Sequence, residues 1–294
     1  MHGKAGIPEK VPSAFGHDAP VSVAIITLDN HLKGAVERAD ARLSQENISI
    51  SLHAASEWGT DEDELERAKR AIADADIVIA TMLFLDDHVR MIMPTLLERR
   101  EDCDAMVCLM SAGEVVKLTR MGNYRMVAPD KGPLAMLKEL RGKRGKAGKS
   151  GSAGSGAGQM KMLRRLPKIL KFIPGTAQDV RAYFLTLQYW LAGSDENVVA
   201  MVRALIDRYA AGERAGRKGL VKADPPREYP ETGVYHPSTR QKLSSSLRLL
   251  PDDKGKNAPG RNGTVGLVLL RSYLLGNDAA HYDGAIAAFE AAGL

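Results

Sequence analysis

The chain has 294 residues, with 44% hydrophobic and 26% charged side chains, which is the balance of a soluble globular protein with room for two ordinary domains. Aromatic residues make up only 5%, so the core must rest mainly on Ala, Val, Ile, Leu and Met. The formal charge of +5 is unevenly placed: Lys138 to Lys171 holds eleven Lys or Arg and one acid, Glu139, leaving 30 basic against 35 acidic residues elsewhere, which argues against nucleic acid as a partner of the whole protein.

Residues 1–20 mix Gly, Pro, His and charges without periodicity, the pattern of a draped arm. An α/β domain is expected over 21–141. Val21 to Leu28 is rich in β-branched residues and predicts a strand, followed by Asp29-Asn30 as a cap for a helix from His31 to about Glu46. Ile48 to Leu52 alternates as a second strand. Thr60 to Asp63 then predicts a capping box, with Thr60 at the N-cap and Asp63 at N3. Asp76 to Leu83 is an almost unbroken apolar run, the signature of a parallel strand covered on both faces. A helix from about Asp87 to Arg99, a strand from Ala105 to Met110 and a helix from Glu114 to Arg120 complete the pattern. Four strands alternating with helices predict an open, doubly wound parallel sheet of the α/β class.

From 142 to 159 the composition changes to Gly, Ser, Ala and Lys, a basic linker or inserted loop. A helical segment follows over 160–212. It comprises a basic amphipathic stretch from Met160 to Phe172, an apolar helix from Ala177 to Leu191, and a helix capped by Ser194-Asp-Glu-Asn197 that runs to about Tyr209. Residues 213–294 form a proline-marked connector and then a last βα unit, a strand from Thr264 to Leu270 and a helix from about Ala279 to Ala292. One parallel strand with one helix needs neighbouring strands to bury its faces, so this closing unit reads as truncated.

The chemistry-bearing residues are sparse. Cys103 and Cys108 stand five residues apart in one strand region, on opposite faces if both lie in the strand, and they read as buried small hydrophobes in a reducing compartment. Gly145-Lys-Ala-Gly-Lys149-Ser150 lacks the spacing and the preceding strand of a phosphate-binding loop. No Gly-rich fingerprint follows the first strand, which counts against a dinucleotide. Ser111-Ala-Gly-Glu sits where an anion could meet a helix N-terminus, or where Ser111 simply caps it. Asp86-Asp87-His88 is either a helix cap or a cation ligand set. The seven histidines show no metal-binding spacing. Neither a signal peptide nor an 18-residue apolar run is present, so a cytoplasmic, non-spanning protein is expected. The basic amphipathic stretch admits peripheral membrane contact.

Two segments carry a resemblance. Gly263-Thr-Val-Gly-Leu-Val-Leu-Leu-Arg271-Ser-Tyr273, with Asn277 and His281-Tyr282-Asp283 beyond it, resembles the opening of the chelatase domain in the magnesium chelatase large-subunit family. Tyr229-Pro-Glu-Thr-Gly-Val-Tyr235-His236-Pro237 is similar to that family's connector. Ala128 to Pro133 and Gln178 to Gly193 extend the likeness over nearly all of the chain after Val21. The cobalt-inserting relatives share the chelatase domain, but the long α/β region is similar to the magnesium enzyme.

The resemblance implies a subunit that binds protoporphyrin IX and Mg2+. It further implies two smaller partner subunits, one an AAA+ ATPase, that supply ATP hydrolysis for chlorophyll or bacteriochlorophyll synthesis. It also implies a family subunit several times longer than this chain, so the rest of the large subunit is an expected partner and this piece alone is expected to be inactive. No catalytic or metal-ligating residue can be placed. Arg271, Tyr273, His281 and Tyr282 are the candidates for lining or supporting a porphyrin site. Arg271 could meet a porphyrin propionate, or else pair with Asp283 or a backbone carbonyl.

Overall fold

The computed structural model describes residues 18–126, 165–239, 243–246, 263 and 265–294. The linker at 142–159, the segment from Ala128 to Pro133 and the glycine-lysine motif at 145–150 lie outside the described residues, as does most of the N-terminal arm.

The molecule is built on a six-stranded sheet of order β2-β1-β3-β4-β5-β6. Strands β1 (Val21–Thr27), β2 (Ile48–Ala54), β3 (Ile77–Thr81) and β4 (Ala105–Leu109) are parallel, as predicted. Every residue of β3 and β4 is buried, because helices cover both faces. On one face, Val23, Ile25, Ile77, Ile79 and Val107 pack with α1 (Lys33–Leu43), α5 (Thr176–Ala192) and α6 (Asp195–Tyr209). On the other, Ala24, Ile26, Val78, Ala80, Met106 and Cys108 pack with α2 (Glu62–Asp74) and α3 (Asp86–Arg99). The alternation of side chains along each strand thus feeds two separate apolar layers.

The α/β class stands, with local corrections. The helix expected from Glu114 to Arg120 is only the single turn α4 (Gly113–Val116). The Thr119 hydroxyl donates to the Cys108 carbonyl at 3.2 Å and accepts from its N–H at 3.1 Å, pinning the chain back onto β4. Arg120–Met121 (β5) and Tyr124–Arg125 (β6) then form an antiparallel hairpin at the sheet edge. Its turn needs Gly122, whose φ of 56° is in the left-handed region. At α2 the cap is Asp61 rather than Thr60: its carboxylate accepts from the N–H groups of Asp63 and Glu64. Asp29 and Asn30 do not cap α1 with their side chains; Leu32 holds the N-cap position. Ser194 does cap α6, accepting from the Asn197 N–H at 3.3 Å.

The last unit departs most from expectation. Residues 265–270 form no strand, and Val265, Leu267, Val268 and Leu270 are exposed. A parallel strand exists only as a ladder, and no described strand lies alongside to complete one. The chain continues as a short helix, α7 (Arg271–Leu275), and then as α8 (Ala280–Ala291), close to the predicted helix.

Candidate functional site

The closing unit is held in place by side chains that reach back to the connector. The Tyr235 hydroxyl donates to Asp283 at 2.6 Å. His236 Nδ1 accepts from the Ser238 N–H at 3.2 Å, which places the ring proton on Nε2, and Nε2 donates to Glu290 at 2.9 Å. Arg271 donates from Nε to the Pro230 carbonyl at 2.7 Å and from Nη2 to that of Tyr229 at 3.3 Å. The two segments that carry the family likeness are therefore packed against each other. Leu243, Leu274 and Ala279 form a small buried cluster between them, joined by Tyr235, Leu269 and Tyr282. Val234 and Ser244 exchange hydrogen bonds of 2.8 and 2.9 Å across an antiparallel bridge. At Gly233 a Cβ would overlap the Ser244 carbonyl oxygen, so the bridge needs glycine there.

Three of the four predicted site residues come together. The rings of Tyr273 and His281 meet edge to face with centroids 5.3 Å apart, and Tyr273 meets Tyr282 likewise at 6.1 Å. His281 and Tyr282 lie 3.9 Å apart at a tilt of 47°. The Tyr282 hydroxyl also accepts from the Leu270 N–H at 3.2 Å, tying the trio to the segment before α7. His281 is exposed while the two tyrosines are half-buried. Arg271 belongs to the connector contact instead, and Asp283 pairs with Tyr235, not with Arg271. The unit docks on the α/β domain where the Arg38 guanidinium donates to the Gly276 carbonyl beside Leu32.

The electrostatics follow from these contacts. Burial, then the hydrogen bond and charge of Asp283, push the Tyr235 hydroxyl up to about 12. Acidic Asp283 and Glu290 face Tyr235 and His236. No group of three His, Cys, Asp or Glu able to hold a metal occurs among the described residues.

The other sequence candidates resolve into structural roles. Ser111 caps nothing: its hydroxyl accepts from the Leu83 N–H at 3.1 Å and donates to the Leu109 carbonyl at 2.9 Å, fastening the ends of β3 and β4. Asp86 and Asp87 are exposed in the first turn of α3, where the helix dipole favours acids. His88 stacks edge to face on Trp58 at 5.7 Å. Cys103 precedes β4 rather than lying in it, so both cysteines enter the same apolar layer instead of opposite faces; both are free and buried.

Two polar networks had no sequence signal beyond their residue types. Asp179, 6% exposed, accepts from Arg208 at 2.7 and 3.0 Å, from the Tyr209 hydroxyl at 3.1 Å and from the Asn123 N–H at 3.2 Å. Desolvation drives the Tyr209 hydroxyl well above its usual range. Buried His53 bridges Glu64 at 2.7 Å and Ser51 at 3.2 Å, and Glu64 in turn accepts from Arg67 at 2.8 Å.

A doubly wound α/β domain followed by a clasped, aromatic-bearing helical unit defines an α/β protein with an appended helical segment. The family models divide the chain at a different point, within α5. Residues 22–184 match a domain of unknown function, DUF3479, and residues 187–294 match the CobN/magnesium chelatase family. The whole chain is 44% identical to the magnesium-chelatase H subunit of Cereibacter sphaeroides and 42% identical to that of Rhodobacter capsulatus. The chloroplastic magnesium-chelatase ChlH protein of Oryza sativa subsp. indica is 29% identical over 79% of the chain and 17% of its own length. The chain spans 23% of the length of each of the two bacterial relatives. It belongs to the magnesium-chelatase H-subunit family.

Proposed function

We propose that this chain forms part of the porphyrin-binding subunit of a magnesium chelatase, acting in the cytoplasm in chlorophyll or bacteriochlorophyll synthesis. The observation that carries the reading is the Tyr273–His281–Tyr282 group, set on a unit that matches the chelatase family and clasped to the connector. Protoporphyrin IX and Mg2+ are the substrates in this reading, and ATP is hydrolysed by two smaller partner subunits, one of them an AAA+ motor. The aromatic rings offer a stacking surface for one edge of the macrocycle. Arg271, with two of its nitrogens committed to connector carbonyls, positions that surface instead of meeting a propionate.

Insertion requires removal of two pyrrole protons and partial dehydration of a cation that gives up water reluctantly. The described residues hold no ligand cluster for that task, so the reading assigns it to the rest of the large subunit, and the chain alone is inactive. Quenching of protoporphyrin fluorescence by the isolated chain is expected to be weak or absent; tight binding would overturn the assignment of the pocket to the remainder. In a large subunit containing this sequence, His281→Ala with Tyr282→Ala is expected to lower porphyrin affinity and chelatase activity. Unchanged values for both would remove the aromatic group from the site.

A second reading, a non-catalytic module that docks the other chelatase subunits, is favoured by one observation. The apolar run at 265–270 is exposed, and α8, beyond the short α7, buries none of its residues. Co-purification of the chain with the smaller subunits would support it, and full chelatase activity after replacement of Val265, Leu267, Val268 and Leu270 by serine would count against it.

A further inference from the structure

The chain re-enters the described structure at residues 165–170 as one short helical stretch leading into α5. Its inner side is built into the core: Leu166 and Leu170 are buried in the layer shared with α5 and α6. Its outer side is unusual. Ile169 is 56% exposed and Phe172 is 84% exposed, and Arg165, Lys168 and Lys171, all exposed, are interleaved with them in the sequence. The Lys171 ammonium lies 6.0 Å from the Phe172 ring centre.

This knob is held firmly. The Gln178 side-chain amide donates to the Leu170 carbonyl at 2.8 Å and to the Lys171 carbonyl at 3.2 Å, and Arg181 donates to the Pro167 carbonyl at 3.1 Å. The apolar tip therefore stands on α5 as a fixed projection. In sequence it closes the basic stretch Lys138 to Lys171, with eleven cationic residues and one acid, whereas the rest of the chain is slightly acidic. Positive charge and exposed apolar side chains coincide here.

We propose that this knob is a contact site for an anionic lipid surface. A bilayer interface supplies both things the knob presents a need for: acidic headgroups for Arg165, Lys168 and Lys171, and acyl chains to receive Phe172 and Ile169. No helix among the described residues is long and apolar enough to cross a membrane, so the contact is interfacial. A nucleic acid would meet the cations but would leave the branched Ile169 without a stacking partner.

The test is flotation of the full 294-residue chain with mixed phosphatidylcholine and phosphatidylglycerol vesicles, and with pure phosphatidylcholine vesicles, at low and high salt. Binding is expected only to the anionic vesicles, weakening with salt. Ile169→Ser with Phe172→Ser, and separately Lys168→Glu with Lys171→Glu, are each expected to lower partitioning by about tenfold. Both pairs are exposed, so thermal melting should be unchanged. Partitioning that survives the Ile169/Phe172 pair would overturn the proposal, since the basic stretch alone would then be sufficient. Equal partitioning to pure phosphatidylcholine would overturn it as well. So would tighter binding to duplex DNA than to vesicles with only the lysine pair sensitive, which would make the surface a nucleic-acid contact.

Discussion

Tyr235, in the connector, donates its hydroxyl proton to Asp283 in α8 at 2.6 Å, across 48 positions of sequence. This bond, the His236–Glu290 contact and the Arg271 hydrogen bonds to the Tyr229 and Pro230 carbonyls fasten the closing unit to the connector. Tyr235→Phe is expected to weaken the docking by about 1 kcal/mol. The check is faster proteolysis within 280–291 while the α/β domain melts as before. The bond is also pH-sensitive, because the hydroxyl is held up to about 12 from a reference of 10.0. Above pH 10 the undocked tyrosine ionises first while the docked one keeps its proton. Docking is therefore intact below pH 10 and is lost as pH rises toward about 12. The Phe variant should lose this pH dependence; an unchanged alkaline profile would show that Tyr235 does not govern the docking.

Gly233 lies under the Ser244 carbonyl, with no room for a side chain. Gly233→Ala must push the two segments apart and break both hydrogen bonds of the Val234–Ser244 bridge. A loss of about 1–3 kcal/mol in docking is expected, with hydrogen-exchange protection lost at the Val234 and Ser244 amides. Retained protection at both amides would contradict the packing.

Asp179 joins the β5–β6 turn to the ends of α5 and α6. Asp179→Ala leaves Arg208, the Tyr209 hydroxyl and the Asn123 N–H without their shared acceptor, at a cost of about 3–5 kcal/mol in urea unfolding. Tyr209→Phe removes one donor and leaves the others satisfied, so about 1 kcal/mol is expected. Similar losses for the two variants would mean that Asp179 is not the hub.

The strand core was legible because β3 and β4 are covered on both faces and need continuous apolar runs such as Ile77–Thr81. The hairpin was missed although Gly122-Asn123 between Met121 and Tyr124 is a two-residue turn signal; strands of two residues give no periodicity to detect. The expected strand at 264–270 had the composition of a buried parallel strand, but composition cannot supply the neighbours that a ladder needs. At the site, the ring trio follows from local spacing, since Tyr273 is brought over His281 and Tyr282 by the short α7–α8 turn. The clasp is different. Tyr235 to Asp283 and His236 to Glu290 join residues 48 and 54 positions apart, and no local pattern encodes such a pairing.

The cysteines give a further prediction, on reactivity. Burial pushes the Cys108 thiol up to about 12 and raises that of Cys103 too, with Arg120 only partly opposing the shift at Cys103. The nucleophile in alkylation is the thiolate, so both thiols should resist iodoacetamide in the folded protein at neutral pH. Cys103 lies beside the Arg120 guanidinium and is the less enclosed of the two, so it should react first as the pH is raised. Unfolding in urea should expose both at ordinary rates. Mass spectrometry of the folded and unfolded samples decides the matter. Rapid labelling of either cysteine in the native state would mean that the layer between the sheet, α2 and α3 opens far more readily than its burial implies, and it would reopen a redox or ligand role for that residue.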